Sequence, residues 1–484
     1  MQIMLPLLYS FLFIFLILKM KFFDVPAISR GQLIALFILK ISAGLAVYGV
    51  YTYYYTNSDF NTYFSSGKIV FDRFLGNAAL PVLPAWDASF DDAVYNNSRI
   101  IIFLNFLIHF FSFNTIFVHI VFFCFFAFAG LVALFKAFYK HVPSKKNSLI
   151  VGLFLVPSVL FWTAGIYKET IALCCIGFIV YLTDFGLMKK ITLKNFLLIA
   201  LLCLLLFFLK IYILAALLPM LIINWLISNS SASYCFLKYF LLFLLFSGLF
   251  HLLSKTSDRF DVYQLIADKQ SKAISEAKGG IFLMNDKNFV RIDYSDVDVL
   301  IHHPDSSYTI KKGSRFLSWK LNNMQDTTFV SASSDSAFYT LLYIISPTKS
   351  VIDIDRVDPT FFGILKKVPQ SIYAVFTQPI LFNIKNIFQL IAWIENSWLF
   401  LLLVLAILFF DKNILNKKHV LMFALLFALI QFAIIGLTTP AIGAMVRYKV
   451  TAFPFLVTSF LICIDGDALV KKIIRTKNQD SDKA

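Results

Sequence analysis

The sequence predicts an all-α polytopic membrane protein of about 11–12 membrane helices, some short or re-entrant, with an exterior α+β region between the late helices. Three observations predict it. Hydrophobic residues make up 59% of the 484 residues and the mean hydropathy is +0.77, where a soluble domain is roughly half apolar. Charged residues are 15%, well under the usual quarter or so. The apolar residues also come in continuous blocks, many near the length of about 20 residues that crosses the hydrocarbon core. Lipid offers no partners to backbone N–H and C=O groups, so such blocks must be helices or a closed barrel. Continuous rather than alternating blocks exclude the barrel.

In order, the blocks predict helices over Ile3–Met20, Gln32–Tyr51, Arg99–Phe113, Thr115–Phe138, Leu149–Ala164 and Lys168–Asp184. Six more follow over Lys194–Leu209, Ile211–Ser228, Cys235–Leu253, Ile387–Phe410, Val420–Leu437 and Met445–Ile464. Met1–Met20 lacks the basic start and small-residue cleavage site of a signal peptide, so it reads as a retained helix. All six cysteines fall inside apolar blocks, and no Cys/His spacing points to a metal.

The net charge of +15 does not mark a nucleic-acid binder. Lys255–Lys367, the main polar stretch, is nearly balanced in sign. The excess sits in short loops and in the tail: Lys140–Lys146, Lys189–Lys194, Lys412–Lys418 and Lys471–Lys477. That is the positive-inside pattern, and it assigns these segments to the cytoplasm. The expected organisation is a membrane module over 1–253 with a first exterior loop at 56–98. An exterior region follows over 254–386, ending in an interfacial segment at 361–386. Membrane helices at 387–464 and a cytoplasmic tail at 465–484 complete the chain. Parity then requires one early block not to cross fully, and Arg99–Phe113, the shortest, is expected to be re-entrant or interfacial. The location is an inner or plasma membrane.

Within the exterior region, Asp268–Ala277 reads as a helix. Gly279-Gly280 is a turn, and Ile281–Met284 and Phe289–Ile292 are strand-like. The apolar segment Phe361–Phe382 lacks the surface for an independent core, so the region is expected to fold against the membrane helices. His302-His303 reads as solvated loop, because adjacent histidines point apart. Asp87, Asp91 and Asp92 match no calcium spacing. Asn96-Asn97-Ser98 fits the short glycosylation pattern.

Chemistry is expected in three stretches. Tyr53–Phe64 follows the second helix, with tyrosines suited to an interface. There Asp59 reads either as a general base or as the cap of a helix at Phe60–Phe74. Val156–Glu169 is an apolar run interrupted by Pro157 and Gly165, with Lys168 and Glu169 opening the next block. It is either a helix start with interfacial charges or a broken helix whose end meets an anionic ligand. Thr438–Lys449 is a Pro/Gly-shaped turn carrying Arg447, either a snorkelling anchor or a phosphate contact. Lys210, between two long blocks, reads as a tight turn at the headgroups, with a phosphate contact as its second use.

These stretches, in this order, resemble the GT-C class of membrane glycosyltransferases, which take sugars from polyprenyl-phosphate carriers. Asp59 stands where that class has an acid in its first exterior loop, and Asn97–Tyr139 looks like its helix pair. Pro157–Glu169, Arg447-Tyr448-Lys449 and Val368-Pro369 through Glu395-Asn396 resemble parts of bacterial surface-polysaccharide proteins, including polymerases. The class's second acid has no recognisable counterpart, and Glu169 is the nearest substitute. The resemblance implies catalytic Asp59 and Glu169, donor-phosphate contacts at Arg447, Lys168 and Lys210, and substrate contacts at Tyr63 and Tyr448. The partner it implies is a polyprenyl-phosphate-linked sugar or glycan in the membrane of the cell envelope. The lipid phosphate is a good leaving group, so neither metal nor cofactor is demanded. A polymerase or ligase of lipid-linked surface polysaccharide is the neighbouring alternative. A transporter or a structural subunit of an envelope complex is the alternative from another class.

Overall fold

The computed structural model describes residues 2–54, 59–76, 98–188, 190–228, 235–256, 261–285, 288–320, 323–332, 338–348, 350–352 and 354–472. The chain forms two compact units. One comprises Met1–Gly248, Leu390–Phe432 and Val446–Ala484, and the other comprises Leu249–Gln389 and Ala433–Met445. The second therefore includes 433–445, which the sequence assigned to the C-terminal membrane helices.

The first unit is helical. It opens with α1 (Met4–Lys19) and α2 (Arg30–Tyr53), the latter started by a capping box between Ser29 and Gln32. Next come α3 (Asp59–Gly76), α4 (Arg99–Ser112) and α5 (Ile116–His141). The 14 residues of α4 extend about 21 Å, short of the roughly 30 Å hydrocarbon core.

The block expected to be one helix over Leu149–Ala164 is broken. α6 (Lys146–Ile150) runs into a π turn at Val151–Leu155, and α7 (Pro157–Trp162) starts afresh. Pro157 causes the restart. It has no N–H to donate and its ring opposes a preceding helical turn, so it is tolerated only in a first turn.

α8 (Lys168–Thr183) then crosses α5 at two glycines. A Cβ on Gly177 would lie 2.2 Å from the Gly130 carbonyl oxygen, and one on Gly130 would lie 2.5 Å from Cys174 Cα. Close backbone approach of this kind replaces the hydrophobic driving force that lipid does not supply.

α9 (Leu193–Ser228) carries a break at Lys210, where φ is −157° and ψ is 82°. Gly186 sits so near the far half of this helix that a Cβ there would lie 2.4 Å from the Leu221 carbonyl. In a straight helix Leu193 and Leu221 would be about 42 Å apart. The short connection from Gly186 to Leu193 reaches about 25 Å at most. The chain therefore doubles back at Lys210 into a hairpin, the tight turn the sequence predicts.

α10 (Cys235–Thr256), α13 (Ile387–Leu408), α14 (Lys418–Thr438), α15 (Ile442–Tyr448) and α16 (Phe453–Cys463) contribute the remaining apolar helices. By length and composition six helices of the described residues are apolar enough to cross a membrane. The bent run Ile442–Thr451 with Phe453–Cys463, at 65°, makes seven. The other members of the expected 11–12 are shorter, as α1 and α4 are, or interrupted, as α6–α7 is.

One end of this unit is basic. Lys140 and His141 meet Asp184 at 2.6 and 2.7 Å. Lys145 meets Asp411 at 2.7 Å and donates to the Ile464 carbonyl at 2.8 Å. Asn224 donates to the Phe185 carbonyl at 2.7 Å. The ends of α5, α8 and α16 and the lower arm of the α9 hairpin thus share one level. The unit is a multi-pass helical membrane module.

The second unit holds α11 (Val262–Lys278) and α12 (Phe361–Thr377) with a seven-stranded antiparallel sheet. The strands are β1 (Gly280–Met284), β2 (Asn288–Asp293), β3 (Leu300–His302), β4 (Ser307–Ile310), β5 (Arg315–Lys320), β6 (Asn323–Ser331) and β7 (Tyr339–Ile345). Their order is β3-β4-β7-β1-β2-β5-β6. The expectation of no independent core is corrected. Ile281, Leu283, Val290, Ile292, Ile310, Phe316 and Tyr339 form one. Its apolar residues are spread over strands far apart in sequence, so no single stretch revealed it. The two expected strands are β1 and β2. On α12, Phe362, Leu365, Pro369 and Tyr373 form an exposed stripe at helical spacing, and Phe382 beyond it is 93% exposed.

The Gly130–Gly177 crossing yields a direct expectation. Gly177→Val forces α5 and α8 apart, and overpacking of this kind costs about 1–3 kcal/mol. Purified protein in detergent should melt several degrees lower or elute aggregated. A melting temperature equal to the parent's would show that the helices do not meet there.

Candidate functional site

Four breaks in helical structure bring charge to one place. Asp59 begins α3, Lys168 and Glu169 begin α8, Lys210 occupies the α9 turn, and Arg447 lies in α15 before the 65° bend. Asp59, Lys168–Glu169 and Lys210 stand where helical pairing starts or breaks and Arg447 near the end of its helix, so a polar side chain there is less costly.

Glu169 is the centre. Lys210 donates to Glu169 Oε1 at 2.6 Å, and Arg447 Nε lies 3.3 Å from the same oxygen. The other end of the guanidinium, Nη2, lies 2.8 Å from Asp59 Oδ2. Arg447 therefore bridges the two carboxylates. Tyrosine rings enclose the cations: Lys210 Nζ is 3.9 Å from the Tyr448 ring centre and 5.6 Å from that of Tyr212. The guanidinium is 5.5 and 5.3 Å from the rings of Tyr167 and Tyr448. These are cation–π distances, and such contacts strengthen when water is excluded. Lys168 Nζ lies 5.8 Å from the ring of Tyr63.

Exposure falls steeply across the cluster. The side chain of Asp59 is 45% exposed, Arg447 18%, Lys210 8% and Glu169 3%. Asp59 is therefore exposed while Glu169 is sealed. Three basic side chains meet two acidic ones here, so basic groups are in excess by one.

The backbone next to Tyr63 is held by a buried polar group. On α4 and α5, His119 pairs with Asn105 Oδ1 at 2.8 Å and Ser112 Oγ at 3.1 Å, and His109 Nε2 donates to the Phe64 carbonyl at 3.3 Å. Burial and the adjacent Asp59 push the Tyr63 phenol above its ordinary range, so it remains a hydrogen-bond donor.

All seven residues expected to carry chemistry thus meet, Asp59, Glu169, Arg447 and Lys210 through ion pairs and Lys168, Tyr63 and Tyr448 through ring contacts. Asp87, Asp91, Asp92 and the Asn96-Asn97 pair lie outside the described residues. In the second unit His303 pairs with Thr309 Oγ1 at 2.9 Å, and the His302 ring is tilted against that of Tyr308 with centres 4.8 Å apart. Among the described residues no group of three or more His, Cys, Asp or Glu is arranged to hold a metal.

Sequence reasoning missed Tyr167 and Tyr212, although each lies within two residues of a charged member of the cluster. It also missed Lys40, and it named Glu395 and Lys449 only within the resemblance, with no role for either; all three are buried. Their signal was available, since a charge inside an apolar block is costly and calls for a partner.

No family model, curated protein or solved structure matches the chain.

Breaking the Glu169–Lys210 pair on one side leaves a buried charge without its partner, at a cost of about 3–5 kcal/mol. Glu169→Ala should therefore melt far below the parent. Glu169→Leu with Lys210→Met should recover part of that loss, because this pair's charges go together while Arg447 keeps Asp59. A single variant as stable as the parent would contradict the pairing.

Proposed function

We propose that the chain is a membrane glycosyltransferase, moving a sugar from a polyprenyl-phosphate-linked donor to an acceptor on the exterior face of the membrane. The observation that carries this is the Arg447 bridge: one guanidinium holds a half-exposed carboxylate and a sealed one, with Lys210 and Lys168 beside it. A lipid phosphate has its anionic head at the interface and its tail in hydrocarbon. It calls for cations at the end of a helical bundle, and the excess of basic groups suits it. Guanidinium matches phosphate bidentately.

Asp59 is the base in this reading, because it alone of the two carboxylates is open to an acceptor. It takes the proton of the acceptor hydroxyl as that oxygen attacks the anomeric carbon. The bond from that carbon to the phosphate oxygen breaks, and the departing lipid phosphate is stabilised by Arg447 and Lys210. Tyr63 donates a hydrogen bond near the acceptor. Glu169, expected from sequence to share the catalysis, has a different role here. Sealed from solvent and shared by two cations, it positions them. The charge distribution supports a cytoplasmic position for the opposite, basic end of the module. The exposed apolar stripe of α12, with Lys366 beside it, supports an interfacial position for 361–386.

The test uses purified protein in nanodiscs with polyprenyl-phosphate sugars as donors. Asp59→Asn keeps the shape and loses the proton acceptor. It should lower transfer by about 10²–10⁴-fold with carrier binding retained. Arg447→Ala should weaken carrier binding by about tenfold or more. Transfer that survives Asp59→Asn at the parent rate removes the assigned base. Absence of carrier binding by the parent removes the donor class.

A further inference from the structure

The break at α7 is held by charges that the cluster does not use. α7 has six residues, too few to satisfy its own backbone, and it lies within an apolar block where water is scarce. Free N–H groups at its start and free carbonyls at its end would each be costly there. At the start, the Ser158 N–H donates to Glu395 Oε2 of α13 at 2.7 Å. At the end, Lys40 of α2 donates to the Val159 and Leu160 carbonyls at 3.1 and 3.0 Å, and to Thr163 Oγ1 at 2.5 Å. An ammonium has three N–H groups, and all three of Lys40 are used on this one helix end. Thr163 in turn donates to the Val159 carbonyl at 2.5 Å.

The signs match the helix dipole, with the carboxylate at the positive start and the ammonium at the negative end. Both side chains are buried, with Lys40 1% and Glu395 5% exposed as residues. Neither holds the other; each holds α7. The chain leaving α7 passes through Gly165, whose carbonyl accepts from Thr170 Oγ1 at 2.8 Å, and reaches Tyr167, Lys168 and Glu169. The Glu395 end is also tied to the stretch that follows α15. Lys449 stands two residues after Arg447 and donates to Asn396 Oδ1 at 2.6 Å. Arg447 and Lys449 thus fasten one short stretch both to the ion cluster and to α13.

We propose that Glu395 and Lys40 form an electrostatic clamp on α7 that positions Glu169 and Arg447, making both of them positioning residues for the cluster. The clamp fixes where α8 begins and so where Glu169 stands between Lys210 and Arg447. Its effect on ligand binding rests on the reading of the cluster as a lipid-phosphate site; its effect on the cluster does not.

The experiment is a thermal-stability cycle on the full chain, with polyprenyl monophosphate binding in nanodiscs as a second readout. Glu169→Gln is made in the parent and in Glu395→Leu, Glu395→Gln and Lys40→Met backgrounds. Glu395→Gln keeps an acceptor for the Ser158 N–H, whereas Glu395→Leu does not. The fall in melting temperature caused by Glu169→Gln should shrink to about half or less with Leu at 395 or Met at 40, since coupled sites are not additive. It should stay near its full size with Gln at 395. Equal falls in every background overturn the proposal. Binding of the probe should weaken about tenfold in Glu395→Leu and recover in Glu395→Gln. A Leu variant that melts lower and still binds like the parent also overturns it. If the parent itself does not bind, the carrier reading fails and the cycle alone decides the clamp. If Glu395→Leu does not yield folded protein, Lys40→Met carries the same cycle.

Discussion

A carboxylate sealed beneath the end of a helical bundle must have cations brought to it, and Glu169 governs much of the first unit for that reason. Its oxygen is shared by Lys210 and Arg447, which arrive from separate parts of the chain. Lys210 reaches it because α9 doubles back there. Arg447 reaches it because α15 and α16 bend. Glu169 itself stands at a helix start because α7 stops short. Irregular backbone inside an apolar module is tolerable only where other groups satisfy it, and here the groups that do so are charged.

The breaks therefore come in two kinds. At the α9 turn and the α15–α16 bend, side chains from the break itself enter the ion cluster. At α7 the break is closed by side chains from elsewhere, Lys40 and Glu395, with the charge sign at each end that the helix dipole favours. Between them the α5–α8 crossing at Gly130 and Gly177 fixes how closely these two helices approach. Coupling between such elements has a physical route, through shared residues and short connections rather than through distance alone.

Much of the site was legible in the sequence because charge is conspicuous in an apolar chain. Asp59, Lys168, Glu169, Lys210 and Arg447 stand at the edges of apolar blocks, and each edge is a place where a helix ends. That a hairpin turns at Lys210 followed from two apolar runs with one cation between them. The pairing itself was not legible: nothing in the spacing of Asp59 and Arg447 says that they meet at 2.8 Å. The division of labour between the carboxylates was also hidden, because burial decides it. Lys40 escaped notice since it sits within a block that reads as continuous, and Glu395, named only in the resemblance, had no partner that its spacing could reveal. The sheet of the second unit was half legible. β1 and β2 follow a Gly-marked turn, lie next to each other in sequence and announce themselves. β3–β4 and β5–β6 are local pairs, but β7 reaches back to β1 and β4 and β5 to β2, and the alternation in β3 to β7 is diluted by polar residues, so no local pattern foretold one seven-stranded sheet.

The central claim is that the ion cluster around Arg447 receives a lipid phosphate. Photo-crosslinking with a polyprenyl monophosphate bearing a diazirine near its headgroup, in nanodiscs, tests it most directly. The account predicts adducts on peptides around Lys210–Tyr212 and Arg447–Lys449, suppressed by excess unlabelled carrier. Adducts spread evenly over lipid-facing helices, or gathered at the Lys140–Lys145 end, would contradict it.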